Sequence, residues 1–145
     1  MRQLQIEIES IQVSIFCEIV LDVLKKHRSL SINKVLVFAY LIKKERFIPK
    51  SVYNGNNTQD IIYKSLSLLS GDYLEFCNSV EFIIKAIHIL KTSGDITVEN
   101  DLLFVMDNMY ISNNIFKETT FLEKAIEYSK NMNERQFMKE VTDNV

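Results

Sequence analysis

Apolar positions along this chain recur mostly at helical spacing, and they are densest between Asn78 and Met106. Val80, Ile83, Ile84, Ile87 and Leu90 form one broad face of an amphipathic helix. Asn78 and Glu81 have the spacing of a capping box, which predicts that this helix begins at Asn78. Gly94 follows Ser93 where a left-handed residue would end it. Asp95-Ile96-Thr97-Val98 and Leu102-Leu103-Phe104-Val105-Met106 then flank the polar turn Glu99-Asn100-Asp101, and predict a β-hairpin. A buried helix running directly into a hairpin is the second half of a winged helix-turn-helix. The expected fold class is therefore mainly α with a small β-hairpin.

Upstream, Leu4, Ile6 and Ile8 alternate with Gln5, Glu7 and Glu9. Period two predicts a short half-buried strand, with a frayed helical start as the competing reading. Ser10 is the expected cap of a first helix reaching about His27, with Ile11, Ile15, Ile19, Val20, Val23 and Leu24 on its apolar face. A tight connection at Ser29–Ser31 leads to a second helix, Ile32 to about Lys44, capped by Ser31. Its middle, Val35 to Ile42, is apolar all round. Such a helix must be covered on every side, either by a central position or by a partner over Val37 and Leu41.

The stretch from Phe47 to Thr58 holds the only proline and the pair Asn54-Gly55, and reads as a loop. Thr58 is the expected cap of a third helix that Gly71 ends. Beyond the hairpin, Met109–Ile111 suggests a further strand. Ser112 or Asn113 then caps a long helix reaching about Lys130. Asn133 and Gln136 repeat the capping-box spacing before a last helix carrying Phe137, Met138 and Val141 on one face. The whole reads as one winged-helix-like domain: a core over 1–111 with its wing at 95–106, and a C-terminal helical extension over 112–145.

Composition narrows the function more than it names it. With 145 residues, 47% hydrophobic and 25% charged, the chain can bury a real core. Its apolar runs fall short of the roughly 20 residues that cross a bilayer, and Met1-Arg2-Gln3-Leu4-Gln5 lacks the apolar core of a secretion signal, so a cytoplasmic location is expected. Cys17 and Cys77 sit among apolar residues and read as buried, reduced thiols. Gly55, Gly71 and Gly94 stand alone, so no phosphate loop or dinucleotide fingerprint can be assembled and no cofactor is expected. His27 and His88 lack a second ligand at metal spacing. No serine or cysteine has the context of an activated nucleophile, so catalytic, cofactor-binding and metal residues are all expected to be absent. Glu81, Lys85, His88 and Thr92 form a thin polar stripe, read as the wet side of a core helix rather than a ligand site.

A winged helix normally reads DNA with the helix before the wing and grips phosphates with the wing, through Lys and Arg. Lys25, Lys26, Arg28, Lys85 and Lys91 are the cations available for that task. The net charge is −2, and the wing carries Asp95, Glu99 and Asp101 without a single basic residue. Those acids oppose the docking mode, so a DNA-binding transcriptional regulator is the second reading. The first is a protein-interaction module, with Val37, Leu41, Phe121, Phe137, Met138 and Val141 as candidate partner contacts.

Three segments carry a resemblance: Ser31-Ile32-Asn33-Lys34-Val35-Leu36-Val37-Phe38-Ala39-Tyr40-Leu41-Ile42-Lys43-Lys44, then Phe82 to Ile96, then Arg135-Gln136-Phe137-Met138-Lys139-Glu140-Val141. Together they resemble the small middle components of bacterial ABC three-component systems, and are similar to the small subunit of Lamassu-type anti-phage systems. The resemblance implies a non-catalytic accessory subunit bridging an SMC/Rad50-like ATPase and an effector, often a nuclease. It implies indirect or weak DNA contact, and it supplies no catalytic residues.

Overall fold

The computed structural model describes residues 2–44, 65–67, 69, 71–106 and 120–144. The elements run α1 (Arg2–His27), β1 (Ser29–Ser31), α2 (Ile32–Lys44), α3 (Tyr73–Thr92), β2 (Ile96–Glu99), β3 (Leu102–Val105), α4 (Thr120–Ser129) and α5 (Glu134–Asn144). The chain is mostly helical with one three-stranded antiparallel sheet, ordered β1-β3-β2. Among the described residues no helix is long and apolar enough to cross a membrane.

Everything packs around α2. Val35, Val37, Phe38, Ala39, Tyr40, Leu41 and Ile42 are all buried. The covering surfaces come from α1, α3, α4 and α5, so the chain itself surrounds this helix. Phe38 meets Phe137 of α5 with ring centroids 5.8 Å apart, and both rings are fully buried. Tyr40 meets Phe76 of α3 edge-on at 5.4 Å. Each such ring contributes roughly 1.5–3 kcal/mol by leaving water. The start of α2 is fixed twice. Ser31 Oγ accepts the Lys34 amide at 3.4 Å, as expected of a cap, and the Ile32 amide donates to the Asp101 carbonyl at 3.1 Å.

The end of α3 follows its sequence closely. Gly94 has φ +86, the Asp95 amide reaches the Leu90 carbonyl at 2.9 Å, and the Gly94 amide reaches Lys91 at 3.2 Å. That bond pair is a Schellman motif. The hairpin is tighter than the three-residue turn expected. Glu99 belongs to β2 and pairs with Leu102, leaving Asn100-Asp101 as a two-residue loop. Both have positive φ, 52 and 65, the geometry of a type I′ turn that suits the twist of the strands. The second capping box forms as read: Asn133 Oδ1 accepts the Gln136 amide at 2.8 Å, and Gln136 Oε1 accepts the Asn133 amide at 3.1 Å.

Four expectations are corrected. Residues 4–8 are helical, because α1 starts at Arg2 and Ser10 lies inside it, its hydroxyl donating to the Ile6 carbonyl at 2.9 Å. Ile11, assigned to the buried face, is 59% exposed. Asn78 and Glu81 lie within α3, which begins at Tyr73, because Tyr73, Phe76 and Val80 carry the apolar period back past them. Ser29–Ser31 is a strand rather than a bare connection, paired with β3 in the register Ser29↔Phe104 and Ser31↔Leu102. The loop read at 47–58, most of the third helix from Thr58, the strand at 109–111 and the helix cap at Ser112 or Asn113 lie outside the described residues. Of that third helix, 65–67 are helical, and Leu66 and Leu69 are buried.

Gly94→Ala is expected to lower stability by about 1–2 kcal/mol, because a Cβ at that left-handed position meets its own backbone. Thermal melts of the two proteins measure it; an unchanged melting temperature would contradict the assignment of this glycine.

Candidate functional site

An anchor for a partner must be reachable. Of the six residues nominated from sequence, Val37, Leu41, Phe121, Phe137 and Val141 are buried in the chain's own core, and only Met138, 37% exposed, reaches the surface. The physical reason is the demand of α2. Its outer faces are covered by the apolar faces of α4 and α5, so the extension serves this chain's core first.

The basic end of α1 is where that extension docks. Lys26 pairs with Glu123 of α4 at 3.1 Å. His27 is buried, and its Nδ1 lies 2.7 Å from Glu127 Oε1. An ionised carboxylate only accepts, so the imidazole donates through Nδ1. Lys130 approaches Glu127 at 3.4 Å and also donates to the His27 carbonyl at the end of α1. The bond from His27 is the main cause holding Glu127 below the usual carboxylate range, with Lys130 adding to it against partial burial. On α2, buried Lys34 donates to the Met132 carbonyl at 2.7 Å and lies 5.9 Å from the Phe137 ring. Burial pushes Lys34 down, and Glu134 at 3.9 Å partly restores it. Asn33 adds a bond to Glu134 at 3.1 Å.

The cations nominated for DNA do not converge. Lys25, Lys26 and Arg28 sit at the α4 end of α1. Lys85 pairs with Glu81 at 3.0 Å within α3 and shares a groove with Glu9, about 24 Å away along α1 from Lys25. Lys91 is exposed near the end of α3, and Asp95, Glu99 and Asp101 of the hairpin are exposed too.

The surface that sequence reading missed lies between α3 and the first half of α1. A groove of about 720 Å³ is lined by Ile6, Val13, Ile84 and Ile89, with Glu9, Ser10, Ser14, Lys85 and His88 around them. Ile6, Ile84 and Ile89 are each about half exposed, so this is apolar surface that the fold leaves open. Cys17 closes the groove on the α1 side, its thiol 3.8 Å from the Ala86 carbonyl. Burial, with Asp95 and Glu18 behind it, pushes that thiol up and keeps it a thiol. Cys77, expected to be buried, is exposed on α3. The stripe of Glu81, Lys85, His88 and Thr92 is solvated as read, and His88 lies at the groove. The signal available in sequence was Ile84 and Ile89: both depart from the core face set by Ile83, Ala86, Ile87 and Leu90.

No protein-family model, curated protein or solved structure matches this chain.

The lowered Glu127 sets a sign for pH dependence. A carboxylate depressed by folding contributes stability above its unfolded value of about 4.3, and that contribution is lost as pH falls through its folded value. Denaturant midpoints are expected to fall below about pH 4.3, and Glu127→Gln is expected to flatten that part of the profile. Identical profiles for the two proteins would remove the His27–Glu127 bond from the account.

Proposed function

We propose that this chain is a non-catalytic adaptor subunit of a bacterial anti-phage defence complex, built on a winged helix and bridging an SMC/Rad50-like ATPase and an effector. The observation that carries the reading is the open apolar groove between α1 and α3. A groove of this shape and lining suits an apolar helix face from a partner, with Glu9 and Lys85 on its rim to orient the incoming side chains. The order α1-β1-α2-α3-β2-β3, with further helical residues at 65–67 between α2 and α3 and with β1 added to the hairpin beyond β3, supports the winged-helix assignment. The exposed acids of the wing and the scattering of the cations weigh against gripping a DNA backbone directly. DNA sensing in such a complex then belongs to the ATPase, and this chain transmits contact between subunits.

Co-expression with the products of neighbouring genes tests the proposal. The chain is expected to co-purify with an ATPase subunit and an effector. Ile6→Asp and Ile84→Asp, both at half-exposed positions, are expected to abolish at least one of those associations while leaving the melting temperature within a few degrees. A chain that co-purifies with none of them would sink the reading. Salt-sensitive binding of the isolated chain to duplex DNA, lost in Lys85→Glu, would replace it with a transcriptional regulator.

A further inference from the structure

The first half of α1 poses a separate problem. Residues 2–8 are helical yet exposed at every position, and the buried part of the helix begins only at Phe16. A short helical stretch without packing is marginal in water. No acidic residue sits in its first turn to favour the helix dipole. This overhang nevertheless carries Leu4, Ile8 and Ile11, exposed by 57%, 51% and 59%. With Ile15, half-buried against the core, they are spaced four, three and four apart, about three turns of a heptad seam. At 100° per residue the seam points away from the groove, whose α1 residues are Ile6, Val13 and Cys17. It is a second apolar surface.

We propose that the Leu4–Ile8–Ile11–Ile15 seam pairs with the same seam of a second copy, antiparallel, giving a two-fold dimer. The charges around the seam choose both the occupant and the direction. Antiparallel pairing sets Leu4 against the partner copy's Ile15, and Ile8 against its Ile11. It brings Arg2 and the amide-bearing start of one α1 next to Glu18 of the other, twice by symmetry. The flanking residues then meet as Gln5 with Gln12, whose amide oxygen accepts from Lys43 of α2, and Glu7 with Ser14, with no like charges opposed. A parallel pairing would instead set Glu18 against Glu18 within the seam and bring both Arg2 side chains to the same end. Beyond Ile15 the same stripe turns acidic at Glu18 and Asp22, which limits the seam to the overhang. Four apolar layers with a polar rim fall at the small end of specific interfaces, so the dimer is of micromolar strength and exchanges with monomer. This pairing stands whether or not the groove on the other side of α1 takes a partner from a defence complex.

Sedimentation equilibrium of the full chain from low to high micromolar concentration tests it. A monomer–dimer equilibrium is expected. Ile8→Lys and Ile11→Lys, each at a position already in water, are expected to leave circular dichroism and melting temperature intact and to weaken dimerisation at least tenfold. Arg2→Glu and Glu18→Arg are each expected to weaken it several-fold, and the double exchange to restore it. A chain that stays monomeric throughout overturns the proposal and leaves the seam to a different protein. So does a dimer indifferent to Ile8→Lys, which must use another surface. Single charge changes that strengthen association would overturn the antiparallel arrangement.

Discussion

One constraint governs the architecture: the middle of α2, Val35 to Ile42, is apolar around its whole circumference, and all of it except Leu36 is buried. A helix with one apolar stripe can lie on a surface, whereas this one has to be enclosed. Within 145 residues that requires nearly every other helix to donate its apolar face. α1 and α3 supply two sides, and α4 and α5 supply the rest. The extension after the hairpin therefore belongs to the core in an energetic sense: removing it would expose Phe38 and strand the Lys34 ammonium. That ammonium is the polar exception inside the enclosure. It is tolerated because it caps a backbone carbonyl of the α4–α5 corner and lies against an aromatic face.

The same enclosure explains why the opposite end of α1 is bare. Full burial begins at Phe16, Val13 and Ile15 still pack against the core, and the outward face of what precedes them is left uncovered. Leu4, Ile8 and Ile11 on that face have no role in holding α2. Two faces of one overhang then divide the work, one bordering α3 and one looking outward.

Much of this was legible from the residues. α2 was readable from Ser31 through Lys43-Lys44, because cap, apolar run and terminal cations agree. Gly94, the hairpin and the Asn133–Gln136 box were also readable, since each is a local device whose partners lie within a few residues. The failures share a cause in long-range structure. Ser29–Ser31 has nothing strand-like in its composition, and becomes a strand only because β3, more than seventy residues later, offers it an edge. Leu4, Ile6 and Ile8 alternate, but a period of two over five residues fits an exposed helix as well as a strand when no face is buried. Asn78 and Glu81 have a cap's spacing inside a helix that its apolar period had already begun. Phe121 and Phe137 looked like partner anchors because an amphipathic face reads the same whether it covers its own core or another chain's. The groove was hidden for the complementary reason: Ile84 was credited to a core that had no room for it, and Ile89 was assigned to no face.

The overhang also has a mechanical meaning. From Ile11 back to Arg2, at 1.5 Å per residue, about 14 Å of helix runs past a base held between α2, α3 and the sheet, with one face still bordering α3. A tilt of about 10° at that base moves the tip by roughly 2 Å, enough to open an apolar contact. Small repacking under β1 and the hairpin is thus magnified at the far end of the rod. α1 thus has one end set in the core and the outward face of its other end beyond it.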